Sequence, residues 1–228
     1  MEKLMFDKAL EKKICNKESL KSLEMTHRDL RDKDLRLAKV DENDLSKSHF
    51  DFSNLDSIDA RNTNFKQTHF NKTKMTRSDL QGANFTASQI QRTDFKFSNL
   101  REAKFSFCQI LNSKMRNLKM WGVNLKNTIL RNVSFMNSDL NFASFTNSQA
   151  RGCSFYNASL VKASFQDADM RECTFLGANL KKSNLKGADL RETDIEDAEL
   201  LGASFNKETQ LPFSDNKAIK MGMVLINS

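Results

Sequence analysis

Apolar residues return at every fifth position from Val40 to Phe205, a spacing that suits neither an α-helix nor an ordinary strand. All 34 positions of that series are apolar, and only Ala60 and Ala150 are small. Two residues before each centre runs a second column, in which 31 of 34 positions hold Ala, Ser, Thr, Cys or Val. Asn43, Ile58 and Leu118 are its exceptions. Amphipathic helices need apolar positions near a 3.6 period and half-buried strands need alternation. A five-residue unit can instead turn one small and one large residue inward on a short extended segment, then make a corner. Gly or Asn two residues after the centre suits a corner with positive φ. Nine of the ten such slots from 112 to 157 hold one of these, with Phe142 the exception. Elsewhere the slot is often Lys, Arg, Glu or Phe, which predicts corners of more than one kind.

The phenylalanines give the number of corners per coil. Of twelve central Phe, six lie at 65, 85, 105, 145, 165 and 205, and four at 95, 135, 155 and 175. Both sets are spaced by multiples of twenty and are offset by half that period. Twenty residues per coil therefore means four walls, with Phe favoured on two opposite ones. The segment SIDA supports the packing, because Ile58 fills the small slot where the centre shrinks to Ala60.

The stretch GANLKKSNLKGADLRETDI, residues 177–195, resembles the pentapeptide-repeat family, whose unit is approximately A-(D/N)-L-x-x. The resemblance implies an all-β fold, a right-handed four-sided parallel β-helix with short helical caps. With parallel strands about 4.8 Å apart the rod would be roughly 40 Å long. Three segments are expected: an N-terminal helical cap and lead-in over 1–24, the repeat helix over 25–207, and a C-terminal cap helix and tail over 208–228. Phe6, Leu10 and Ile14 share one face of a helix over 2–14, an N-terminal lid. The units around Leu30 and Leu35 carry Arg28 and Lys33 in the small slot, so the first coil is atypical. Pro212 is expected to stop the coil, Ser214 to cap a short helix through about Met221, and Gly222 to end it. Some family members dimerise through such a helix, so this segment is a candidate homodimer contact as well as a cap.

Composition narrows the chemistry. Only 39% of the chain is apolar and mean hydropathy is −0.60, and no apolar run reaches the length of a membrane span. Met1 to Leu10 lacks a signal peptide's uninterrupted apolar stretch. Four cysteines without paired short spacings point to a reducing compartment, by default a bacterial cytoplasm, with export as an effector the other route. Cys108, Cys153 and Cys173 fall in the small inward slot, where Cys acts as apolar filler. His49 and His69 share an outward column one coil apart, flanked by Asp29 and Gln89. Two histidines supply only part of a ligand set, so no metal and no cofactor is expected. Without a phosphate loop, a nucleophile elbow or an excursion large enough to build a pocket, the chain is read as a non-enzyme.

Function then rests on the outward residues. Residues 103–166 carry eight cations against Asp139 alone, a net of +7 that equals the charge of the whole chain. They spread over all four walls, which does not indicate a nucleic-acid groove. By contrast residues 189–199, DLRETDIEDAE, hold six acids and one Arg. Met136, Tyr156 and Leu176 each directly follow a centre and stack in three successive coils, an apolar strip on a polar surface. Trp121, Val161 and Leu201 share another column, interrupted by Asn141 and Lys181. The leading reading is a non-catalytic scaffold or adaptor that binds a protein through Met136, Tyr156, Leu176 and Trp121. The alternative, implied by the family's quinolone-resistance and toxin-immunity members, is protection or inhibition of a type II topoisomerase by DNA mimicry. Its acids would be Glu192, Asp194, Glu196 and Asp197, although a mimic needs a negative field and this chain is basic.

Overall fold

A computed structural model of the chain describes residues 2–226, with side chains from Met5 onward. Met1 and residues 227–228, the outermost positions of the two expected caps, lie outside the described residues. The chain winds into a parallel β-solenoid in which each position pairs with the one twenty residues on. One wall carries three-residue strands: β1 (His69–Asn71), β2 (Gln89–Gln91), β3 (Gln109–Leu111), β4 (Ile129–Arg131) and β5 (Gln149–Arg151), paired in that order. The other walls contribute single-residue parallel bridges, from Ser19 opposite Lys39 to Asn184 opposite Ser204. Three backbone bonds per unit build the ladder. Around Leu80 they run from Leu80 N–H to Asn99 O (2.8 Å), Gly82 N–H to Arg101 O (2.9 Å) and Asn84 N–H to Thr63 O (2.9 Å).

Both inward columns are buried from Ala38 to Phe205 except at Thr193 and Ala198, which are half-buried; the buried set includes all twelve central phenylalanines and the exchanged pair Ile58 and Ala60. The two main Phe columns stack along the axis and meet edge-on across it. Phe145 lies parallel to Phe165 with ring centroids 5.0 Å apart, and at 83° to Phe155 at 5.5 Å. Both geometries match the preference of aromatic quadrupoles for offset stacks and T-shapes.

The corners correct one sequence expectation. Every slot from His27 to Glu192 has positive φ, whichever residue fills it, with non-glycine values of 51–64°. Lys, Arg, Glu and Phe adopt the left-handed region there although it costs an L-residue about 1–2 kcal/mol. The ladder holds most corner N–H groups against the coil above, as Lys72 N–H to Gln91 O (2.9 Å) and Phe52 N–H to Asn71 O (2.8 Å), so the conformation is imposed by stacking. Corners differ instead in how they are closed. Many close by a direct bond such as Ala83 N–H to Leu80 O (3.0 Å). At others a serine hydroxyl from the next coil inserts. The Ser98 hydroxyl accepts from Ser78 N–H (2.9 Å) and donates to Met75 O (2.7 Å). Ser48, Ser53, Ser88 and Ser138 bridge corners below them in the same way.

The first helix, α1 (Glu2–Cys15), lies on the start of the solenoid with Leu10 buried and Phe6 and Ile14 packed against the core. Arg28 and Lys33 occupy the small slot because α1 meets them there. The Arg28 guanidinium sits 4.5 Å from the Phe6 ring centre, and Lys33 pairs with Asp7 at 3.0 Å. At the far end a 3₁₀ turn, η1 (Ile195–Asp197), precedes β6 (Ser204–Phe205). Helix α2 (Asp215–Lys220) begins at Ser214, whose hydroxyl accepts from Lys217 N–H, and buries Ala218. Pro212 does not end the coil for good. The chain re-enters the ladder beyond it, since β7 (Val224–Leu225) pairs with β6 in parallel.

Two substitutions test this packing by chemical denaturation. Phe145→Ala should destabilise by about 3–5 kcal/mol through its cavity, and a loss under about 1 kcal/mol would mean that the centre column is not core. Ser98→Ala strands a buried donor and acceptor and should cost about 1–3 kcal/mol. Ser148→Ala is its control: that hydroxyl is buried without a partner, so its loss should stay within about 0.5 kcal/mol. Equal costs at the two serines would refute the bridging role.

Candidate protein-contact wall

The corner rule fixes which way each side chain points. A residue directly after an inward centre must face outward, and positions twenty apart must lie one above another at about 4.8 Å. Met136, Tyr156 and Leu176 follow the buried centres Phe135, Phe155 and Phe175. Leu176 is 45% exposed and Tyr156 36%, while Met136 is half-buried. The backbone ties them into one column, with Asn137 N–H donating to Tyr156 O and Asn157 N–H to Leu176 O, both at 3.0 Å. Small residues flank the strip, all polar but the last: Ser134, Ser154 and Thr174 on one side, Asn137, Asn157 and Gly177 on the other.

Trp121 stands across the same wall, on the next corner. Its ring lies 5.3 Å from that of Phe142, and Lys162 Nζ lies 5.1 Å from the centre of the Phe142 ring. Reading single columns keeps Trp121 and Phe142 apart, because their separation of 21 residues is one more than a coil. A search at separations of 19 to 21 would have joined them.

The charges divide by whether they are locally neutralised. Outside the middle of the rod, an outward Asp two residues before an Arg forms a forked pair, at Asp29–Arg31, Asp59–Arg61, Asp169–Arg171 and Asp189–Arg191. The bidentate guanidinium contact holds the Asp59, Asp169 and Asp189 carboxyls below the usual carboxylate range. In the basic middle the partner position is Lys, Gln or Ile. Lys104, Lys114, Arg116, Lys119, Lys126 and Arg131 make no ion pair among the described residues.

The four acids of the mimicry reading are unequally placed. The Asp194 carboxylate accepts hydrogen bonds from Thr174 Oγ1 and Phe175 N–H, and Glu196 pairs with Lys217. Glu192 and Asp197 are exposed, Glu192 on a left-handed corner. His49 and His69 stack with ring centroids 4.5 Å apart. Burial, and then the neighbouring His49, lower the His69 pKa. No group of three or more His, Cys, Asp or Glu among the described residues is disposed to hold a metal ion. The four cysteines are free thiols, and burial pushes Cys108 up to about 12, which makes it unreactive. No helix among the described residues is long and apolar enough to cross a membrane.

Comparison with known proteins agrees with this geometry. The family model described as pentapeptide repeats matches in eight copies, over residues 44–82, 78–117, 119–157, 138–176 and 175–207. Among solved structures, a trypsin-treated variant of QnrB1, a plasmid-mediated fluoroquinolone resistance protein, is similar at 17% identity. That match covers 88% of this chain and 91% of the other, with a TM-score of 0.45. HetL, a pentapeptide repeat protein involved in heterocyst differentiation regulation from the cyanobacterium Nostoc sp. strain PCC 7120, is similar at 22% identity. That match covers 80% of this chain and 92% of HetL, with a TM-score of 0.31. No curated protein sequence matches the chain. At these identities the structural likeness concerns the coil alone, whereas the repeat model spans most of the chain: this protein belongs to the pentapeptide-repeat family.

Proposed function

We propose that this protein is a non-catalytic scaffold or adaptor of a reducing compartment such as the bacterial cytoplasm, binding a protein partner through one wall of its solenoid. The observation that carries the reading is the strip Met136, Tyr156 and Leu176. The inward face of the coil already holds the apolar bulk the fold requires, so the strip adds nothing to the core and leaves apolar surface in water. A contact accounts for it, with Tyr156 at its centre as the anchor, since aromatic residues concentrate binding energy. The topoisomerase alternative needs an extended acidic surface, and two of its four acids are engaged within the chain while the middle of the rod is basic.

The test is Tyr156→Lys in the full chain. Thermal stability should stay within about 0.5 kcal/mol, the usual range for a surface change. Binding to the protein retained by the wild type should weaken at least about tenfold, or 1.4 kcal/mol. Strong destabilisation would show that the ring belongs to the core, and unchanged binding with unchanged stability would end the role of the strip. A companion assay addresses mimicry: wild-type protein should neither inhibit purified gyrase nor relieve its quinolone poisoning, and either effect would favour the alternative.

A further inference from the structure

The wall that bears the strip is complementary to itself. It runs between the corner of Met136, Tyr156 and Leu176 and the corner of Trp121 and Val161, with Lys119, Asp139, Ser159, Asn179 and Glu199 down its middle. Successive rungs are neighbours through the ladder, as Lys119 opposite Asp139 and Asn179 opposite Glu199 show. Its charge changes sign along the rod: Arg116 and Lys119 at one end, mostly uncharged rungs between that carry only Asp139 and Lys181 in these columns, Glu196 and Glu199 at the other.

The sign change is centred on Tyr156. Arg116 lies two rungs below it, and Glu196 two coils above on the η1 turn; Lys119 and Glu199 lie two rungs to either side of Ser159 in an unbroken ladder. A second copy, turned by a two-fold axis lying in the wall across the rod at this rung, therefore meets its opposites. Arg116 faces Glu196 and Lys119 faces Glu199. Met136 faces Leu176, Trp121 faces Leu201, and Tyr156 and Val161 face themselves. Asp139 meets Asn179 and Asn141 meets Lys181, so no like charges oppose one another in these three columns. Other arrangements lose this match. Parallel rods set Lys119 against Lys119 and Glu199 against Glu199, and moving the axis one rung toward Met136 sets Glu199 against Asp79.

We propose that two copies of this chain associate side by side and antiparallel through this wall. The inference rests on the strip being a contact surface and names its occupant. Arg116 and Lys119 lack an ion pair among the described residues and are exposed, so a partner's carboxylates meet unneutralised cations. Glu199 is held on the wall by Lys181 at 2.6 Å, and Glu196 by Lys217. Their side chains stay 58% and 48% exposed, open to a second cation. Five rungs span roughly 19 Å, a small interface of the weak, reversible class, and its rim pairs make it sensitive to salt.

Sedimentation equilibrium on the full chain tests the pairing with charge exchange. Wild type should show a monomer–dimer equilibrium with a dissociation constant of order micromolar, weakened by added salt. The double variant Arg116→Glu, Lys119→Glu makes both ends acidic and should be monomeric. Glu196→Lys, Glu199→Lys makes both ends basic and should also be monomeric. An equimolar mixture of the two should restore a mixed dimer, which only antiparallel pairing of these rungs provides. A wild type that stays monomeric at about a hundred times that concentration would overturn the proposal, as would a dimer that both charge variants keep. If Tyr156→Lys abolishes capture of another protein while wild type never self-associates, the strip remains a contact and the self-pairing falls. A dimer lost on Ile219→Lys and indifferent to the charge variants would place the contact on α2 instead, and overturn it too.

Discussion

Every level of this structure depends on a backbone conformation that most of its residues disfavour. The left-handed corner at each fifth position turns the chain through one side of a square, and four such turns bring it back one strand spacing higher. Identical positions then stack, and stacking supplies the hydrogen bonds that hold the corners. The cost at corners such as Lys72, Arg92 or Phe52 is thus met by a ladder that exists only because the corners were made. Cause and support are circular, which is why the repeat tolerates no change of register over more than thirty units.

Stacking also explains how a chain with so little apolar content keeps a solid interior. The core is a narrow shaft, filled by one large and one small residue per unit, and phenylalanines on opposite walls interlock along it. Serines in the small column add a second function, since their hydroxyls reach into the corner of the preceding coil. A buried hydroxyl is normally a cost, and here it completes a turn that lacks its own bond. Outward positions are freed from the demands of folding, so their charges and apolar groups can be arranged along the rod.

The coil itself was legible because its period is strict: Val40 to Phe205 gave the walls, and the phenylalanine columns gave their number. The Ser214 cap and the face of Phe6, Leu10 and Ile14 followed from local rules. Corner conformation was not legible at Lys, Arg and Phe, because residue type reports preference and stacking overrides it. The ladder beyond Pro212 was hidden because α2 interrupts the repeat: the pairing slips to Asp189 opposite Gln210 before it and returns to a separation of twenty only at Ser204 opposite Val224. Of the candidate wall, the strip could be read in single columns. The Trp121–Phe142 contact and the reversal of charge emerge only when neighbouring columns are laid side by side.

The serine bridges give the rod a direction in time. Each joins a corner to a hydroxyl 23 residues further along the chain from the carbonyl that it caps, as Ser98 does for Met75. A coil leaving the ribosome with such a corner therefore holds it open until the next coil has been synthesised, and the new coil seals it. The solenoid is in this sense built to close from its N-terminus, with α1 in place first over a coil whose own corners wait for Ser48 and Ser53. At the far end the return of the chain through α2 and β7 lays a further layer on the coil of Ser204 and Phe205.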